Sequence, residues 1–324
     1  MPELSMVQAL NAALRHCLAA HDRTLVFGQD VGRLGGVFRV TDGLQHEFGE
    51  RRVFDTPLAE SGIVGVAVGL AMAGWRPVPE IQFDGFSFPA LDQMLTNLAK
   101  YRGRSRGAYD MPVTLRLPSY GGIGGPEHHS ESPESIYAHT AGLKVVTPSC
   151  AQEAFNLLVA AIRDPDPVIF MEPKSRYWAK EEVALEPAGL PIGRACVVRA
   201  GSDATLVAWG PMVHRCLQVA SAAEEDGVSL GVLDLRCLVP LDEATLLTSV
   251  AETGRAVVVH EAPRTAGFAA EVSARLMEGA FGSLKAPVQR VTGWDVPYPS
   301  GAVEQQYIPS VDRILLAVQR VLDY

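Results

Sequence analysis

Apolar residues recur along the chain in two alternating rhythms. Over residues 5–20, Met6, Leu10, Ala13, Leu14, Cys17 and Leu18 fall at the three- and four-residue spacing of one helix face. Leu25-Val26-Phe27-Gly28 then reads as a short buried strand. The rhythm repeats, with strands predicted at 53–55, 76–83, 113–117, 143–148 and 167–171. Helices are predicted between them: 60–74, 87–101 through Phe88, Leu91, Met94, Leu95 and Leu98, then 132–141 and 150–163. Strands alternating with helices predict a doubly wound parallel sheet covered on both faces.

Around 173–193 the pattern gives way to Glu172-Pro173-Lys174, Glu181-Glu182, Glu186-Pro187 and Pro191, which places a boundary there. A second alternation follows. Strands are expected at 205–210, 230–235, 256–260 and 288–292, and helices at 212–225, 242–252, 268–277 and 311–322. The chain therefore divides into an α/β domain over 1–180 and a second α/β domain over 193–324.

One predicted helix breaks the usual polar–apolar pattern. After the turn at Thr56-Pro57, residues 60–74 are almost wholly small and apolar, with glycines at 62, 65, 69 and 74. So little side-chain bulk lets another backbone approach closely. Its one charge, Glu60, lies in the first turn. Two readings stand: an acid on the helix dipole, worth ~0.3–1 kcal/mol, or a carboxylate in a dry interface, where burial suits it to proton chemistry.

Composition narrows the class. The 324 residues are 48% hydrophobic and 20% charged, as in a globular protein, and the net charge of -9 argues against nucleic acid as the main partner. The five cysteines form no C-x-x-C pair and read as reduced thiols of a cytoplasmic protein. The opening residues have neither the apolar core of a signal peptide nor the Arg-rich look of a transit peptide, and no run reads as a membrane span.

In an open parallel sheet, ligands bind beyond the carboxyl ends of the strands. Glu60, Phe86 and His129 all follow predicted strands, so they can share one rim. Phe86 reads either as core or as a platform for a flat heterocycle. His129 ends the glycine-rich run Gly121-Gly122-Ile123-Gly124-Gly125, a loop setting that favours function, whereas His128 reads as its solvent-facing neighbour. The glycine-rich segment 32–36 lacks G-x-G-x-x-G spacing and reads as a turn. There is no H-E-x-x-H, Walker loop or G-x-S-x-G.

Several blocks together resemble the β subunits of thiamine diphosphate-dependent 2-oxo acid dehydrogenases. They are Phe27-Gly28-Gln29-Asp30-Val31, Gly35-Gly36-Val37-Phe38-Arg39, Thr56-Pro57-Leu58-Ala59-Glu60, Glu80-Ile81-Gln82-Phe83, His129-Ser130, Gly142-Leu143-Lys144-Val145-Val146, Val207-Ala208-Trp209-Gly210 and His260-Glu261-Ala262-Pro263. The resemblance runs from end to end. It implies a thiamine-pyrimidine-binding domain followed by a transketolase-C-terminal-like domain. It also implies that Glu60 hydrogen-bonds the aminopyrimidine ring, that Phe86 stacks on it, and that Leu58 and Gln82 line its pocket. His129 would serve acyl transfer to a lipoyl group. Ala161, Asp164 and Asp166 match a potassium-binding turn, with Asp166 in place of the usual Asn.

The family's magnesium and diphosphate motif, Gly-Asp-Gly followed by Asn, is not in this sequence and belongs to the α subunit. The resemblance therefore implies half a site, an assembly of two α and two β chains, and docking to a dihydrolipoyl acyltransferase core. Glu304, Asp312 and Asp323 are candidate docking contacts, chosen for charge and position. The substrate expected is a branched-chain 2-oxo acid, from residues 83–93 and 129–138, with pyruvate and acetoin as alternatives. A further alternative is a module that mainly docks the complex.

Overall fold

The computed structural model describes residues 1–299 and 301–324. In chain order its strands are β1 (Glu3–Ser5), β2 (Thr24–Gly28), β3 (Val53–Asp55), β4 (Arg76–Glu80), β5 (Thr114–Ser119), β6 (Lys144–Val146) and β7 (Val168–Pro173). There follow β8 (Lys180–Glu182), β9 (Cys196–Arg199), β10 (Ala204–Ala208), β11 (Leu230–Asp234), β12 (Cys237–Val239), β13 (Ala256–Val259) and β14 (Gln289–Val291). The first sheet has the order β12-β6-β7-β5-β4-β2-β3, and the second β14-β13-β10-β11-β9. Both are parallel except at one edge, where β12 and β9 run antiparallel to their neighbours.

Strand β2 shows how the pattern builds the layers. All five of its residues are buried, so it reads as a continuous apolar run. Val26 faces a cluster with helices Met6–Ala20 and Ala151–Arg163, while Leu25 and Phe27 face helix Glu60–Met72. That second cluster also holds Val207, Trp209, Leu233 and Phe268, so the two halves of the chain share one core. Ser5 starts the first helix with a capping box. Its Oγ accepts from Gln8 N at 3.3 Å and its N donates to Gln8 Oε1 at 2.9 Å, together worth ~1 kcal/mol.

The chain leaves β2 for β3 on one side and returns to β4 on the other, with both strands parallel to β2. The crevice at the carboxyl ends of β2 and β4 is therefore a topological switch point, where open α/β sheets bind ligands.

Two expectations are corrected, and one strand is new. Residues 87–101 do not form one helix: a 3₁₀ turn Asp84–Ala90 holds Pro89, which has no N–H to donate, and a π-wound turn Gln93–Leu98 follows. Glu172, Pro173 and Lys174 are not linker but fully buried at the end of β7. Cys237–Val239, from the second half of the chain, pairs with β6 as an edge of the first sheet. Among the described residues no helix is long and apolar enough to cross a membrane.

Glu134, on the short helix Glu134–Ala138, is fully buried between the two halves. Trp209 Nε1 donates to its Oε1 at 3.3 Å, and its Oε2 has no partner. Burial pushes this carboxyl from 4.5 up to about 8, and pushes Asp234 and Glu261 up to about 7. Between those limits the folded chain holds protons that the unfolded chain releases, so this contribution to stability falls as pH rises. Glu134→Gln should be more stable than wild type by ~1–3 kcal/mol at pH 8.5 and close to it at pH 4.5. Urea midpoints at the two pH values check this; an advantage that does not grow with pH contradicts it.

Candidate active site

Three charged side chains meet on the adjacent strands β4, β5 and β7. Arg116 is fully buried, with Nη1 donating to Glu80 Oε2 at 2.6 Å and Nε donating to Glu172 Oε1 at 2.6 Å. Its Nη2 donates to Glu172 Oε2 at 3.0 Å, which also accepts from Tyr177 Oη at 2.6 Å. Burial alone lowers the pKa of Arg116, but the two carboxylates outweigh it and hold the guanidinium charged. Such a hub cross-links the strands beneath the rim.

A second buried pair lies beside it. Lys174 Nζ donates to Asp84 Oδ2 at 2.8 Å and to Pro118 O at 3.1 Å. Asp84 Oδ1 in turn accepts from Gly85 N at 2.7 Å and from Glu131 N at 3.1 Å. The 3₁₀ turn carrying Phe86 is thereby tied to the segment that follows His129. Close approach needs glycine here: a Cβ on Gly85 would lie 2.7 Å from His128 O.

Phe86 is half-buried, with its ring centroid 5.1 Å from that of His129 and 5.5 Å from that of Phe83, both edge-on. His129 lies 4.3 Å from Phe83, on the turn Glu127–His129. Its Nδ1 is buried without a partner, whereas His128 is exposed. Glu60 is half-buried as the first residue of its helix, with no side-chain cap beneath it. That helix packs on turn Asp84–Ala90, and the turn packs on Glu127–His129, so one rim gathers the three elements.

The remaining predicted residues fall less uniformly. Leu58 is 68% exposed beside the rim. Gln82 is buried, its Nε2 donating to Asp30 Oδ2 at 2.9 Å and Gln29 O at 3.3 Å. The close backbone approach expected along helix 60–72 is not made within this chain. Its buried face is Ile63, Val64, Ala67, Val68 and Ala71, and Gly62, Val66, Gly69 and Ala73 are exposed.

The potassium expectation does not fit the residues present. Lys144 Nζ donates to Asp164 Oδ1 at 2.7 Å and lies 3.1 Å from Asp166 Oδ2, which Arg102 also engages through Oδ1. Ala161 O accepts from Asp164 N at 3.2 Å. Lys144 and Arg102 thus already neutralise both carboxylates of this turn. Among the described residues no group of three acidic, His or Cys side chains is placed to hold a metal ion. Glu304 is also corrected: it is 3% exposed and makes no docking surface, unlike the exposed Asp312 and Asp323.

Comparison with known proteins gives the family of the chain. Residues 2–179 match the family described as transketolase, pyrimidine binding domain, and 193–314 the one described as transketolase, C-terminal domain. A pyruvate dehydrogenase E1 component subunit beta of Leifsonia xyli is 54% identical, over 99% of this chain and 95% of its own. A 3-methyl-2-oxobutanoate dehydrogenase subunit beta of Mycobacterium tuberculosis is also 54% identical, over 98% and 92%. This chain belongs to the 2-oxo acid dehydrogenase β-subunit family.

A solved split-gene transketolase, an inactive β4 tetramer, shares the fold with TM-score 0.82 at 22% identity, covering 99% of this chain and 98% of that one. From its family, the β subunit is one component of a thiamine diphosphate-dependent, decarboxylating enzyme. The half-buried Phe86 face and the orphaned His129 Nδ1, on one rim with Glu60, fit an aromatic nitrogen heterocycle.

Sequence reading missed the pairing of Asp84, Lys174, Arg116, Glu80 and Glu172: Glu80 and Arg116 were placed in strands without partners, and Glu172 and Lys174, on either side of Pro173, were read as linker. The usable signal was Arg116 and Glu172 inside otherwise apolar strands. Removing Lys174 leaves Asp84 buried and unpaired, so Lys174→Met should cost ~3–5 kcal/mol. The double variant Asp84→Asn with Lys174→Met should recover most of it, since Asn keeps an acceptor for Gly85 and Glu131. Chemical denaturation of both variants measures this, and a double variant no more stable than the single contradicts the pairing.

Proposed function

We propose that this chain forms the pyrimidine side of a thiamine diphosphate site whose diphosphate side, with magnesium, belongs to an α subunit. The assembly contains two α and two β chains. It oxidatively decarboxylates a 2-oxo acid and passes the acyl group to a lipoyl group on a dihydrolipoyl acyltransferase core. One observation carries the reading: Glu60, Phe86 and His129 lie on one rim, in a chain without the Gly-Asp-Gly and Asn of the diphosphate motif.

Thiamine diphosphate, when bound, supplies the electron sink for decarboxylation. Glu60 holds the aminopyrimidine by a hydrogen bond to its ring nitrogen and so controls where that ring carries its proton. Phe86 offers the ring a flat face. Leu58 and Gln82 bound the pocket. His129, at the end of its loop, meets the incoming lipoyl group. The open face of helix 60–72, with Gly62, Val66 and Gly69, is available to a neighbouring subunit.

A branched-chain 2-oxo acid is the substrate favoured by residues 83–93 and 129–138. Pyruvate is the second reading, because the Leifsonia and Mycobacterium relatives match equally well. The test is reconstitution. This chain with cofactor and magnesium should be silent, and adding the cognate α chain should restore turnover. 3-Methyl-2-oxobutanoate should then be preferred over pyruvate by about tenfold or more in kcat/KM. Turnover by this chain alone contradicts the half-site, and a preference for pyruvate contradicts the substrate.

A further inference from the structure

The loop that carries His129 is held from outside its own domain. Its base is closed by Tyr120 N donating to Glu131 O at 3.0 Å. Its tip runs through Gly121, Gly122, Ile123, Gly124 and Gly125, which have little side-chain mass to order them. Two carboxylates from the C-terminal half reach it. Glu261 Oε2 accepts from Gly121 N at 2.9 Å. Glu304 Oε1 accepts from Gly122 N at 2.9 Å, and its Oε2 accepts from Gly124 N at 3.1 Å. Tyr298 Oη also donates to Glu304 Oε1, at 2.8 Å.

Both carboxylates are 3% exposed. Burying an acid is costly unless hydrogen bonds offset it, and here backbone N–H groups of one loop supply most of them. The fit is close at backbone level. A Cβ on Gly121 would lie 1.8 Å from Tyr298 Oη, and one on Gly301 would lie 2.9 Å from Gly124 O. A loop of this composition, left free, would sample many conformations. Tethered by three of its amides, it has one path into His129.

We infer that Glu261 and Glu304 are positioning residues, which clamp the 121–125 loop from the C-terminal domain and thereby set His129 against Phe83 and Phe86 at the rim. This rests on the reading of His129 as the residue that meets the lipoyl group. The C-terminal domain then acts on the chemistry through the backbone amides of the loop. Glu304→Ala frees two loop amides, whereas Glu304→Gln keeps one acceptor oxygen and should rescue part of the effect.

The experiment uses the reconstituted α–β assembly carrying Glu304→Ala, Glu304→Gln, His129→Ala, or Glu304→Ala with His129→Ala. Amide hydrogen exchange over residues 121–129 is read beside two rates, lipoyl acylation and decarboxylation with an artificial acceptor. Glu304→Ala should speed loop exchange by about tenfold or more. It should slow lipoyl acylation about tenfold while leaving the artificial-acceptor rate within about twofold. Glu304→Gln should fall between it and wild type. The double variant should be no slower than His129→Ala alone, because both changes act on one element.

Unchanged loop exchange overturns the inference, as does an equal loss in both rates or a fully additive double variant. If Glu304→Ala does not assemble, Glu304→Asp decides. It keeps the charge but withdraws the carboxylate by one methylene, and it must show the same split in smaller measure. Normal acylation by His129→Ala would refute the role of His129, whereas impaired His129→Ala beside an unaffected Glu304→Ala refutes only the clamp.

Discussion

The pairing of Asp84 with Lys174 is the constraint on which the site depends. Both side chains are buried, so each charge has lost its water. Burial pushes the Asp84 carboxyl up and the Lys174 ammonium down, and each partner opposes the shift in the other. The pair persists because Asp84 also accepts from Gly85 N and Glu131 N, and Lys174 also donates to Pro118 O. Those bonds lead to the turn with Phe86, the end of the His129 loop and strand β5. Replacing the pair by apolar residues need not cost stability, but it would release three elements that must keep one arrangement.

Much of the architecture was legible in the apolar pattern, because β2 and β10 are buried throughout and read as largely apolar runs, and β5 and β7 do so apart from Arg116 and Glu172. Helices with a strong apolar stripe, such as Val311–Leu322, were equally plain. Pattern failed where polarity and burial part company. Glu172-Pro173-Lys174 looks like linker, yet Arg116 and Asp84 neutralise its charges inside the protein. It failed again at Phe88 to Leu98, whose spacing suits a helix that Pro89 cannot continue. The edge strand Cys237–Val239 is too short to announce itself.

The site divides in the same way. Glu60, Phe86 and His129 could be placed on one rim from the strands that precede them, and resemblance supplied their chemistry. What holds them was not legible. Glu304 carried only a charge in the sequence, and charge alone put it on the surface; its partners are backbone amides about 180 residues away. Amides leave no mark on composition, so only the folded chain shows where such a carboxylate goes. The exposed small-residue face of helix 60–72 is the converse case. Its glycines announced a close neighbour that the single chain does not contain.

Glu60, as the group that sets the protonation of the cofactor's pyrimidine ring, is central to the proposed half-site. The most direct measurement is the rate at which the thiazolium ring proton of bound thiamine diphosphate exchanges for deuterium, in the α–β assembly with Glu60→Gln. Glutamine keeps the size and a hydrogen bond but offers no carboxylate. Exchange should slow by about 10²–10⁴-fold with cofactor still bound. A variant that assembles, binds cofactor and exchanges at the wild-type rate would leave Glu60 as no more than an acid at a helix N-terminus.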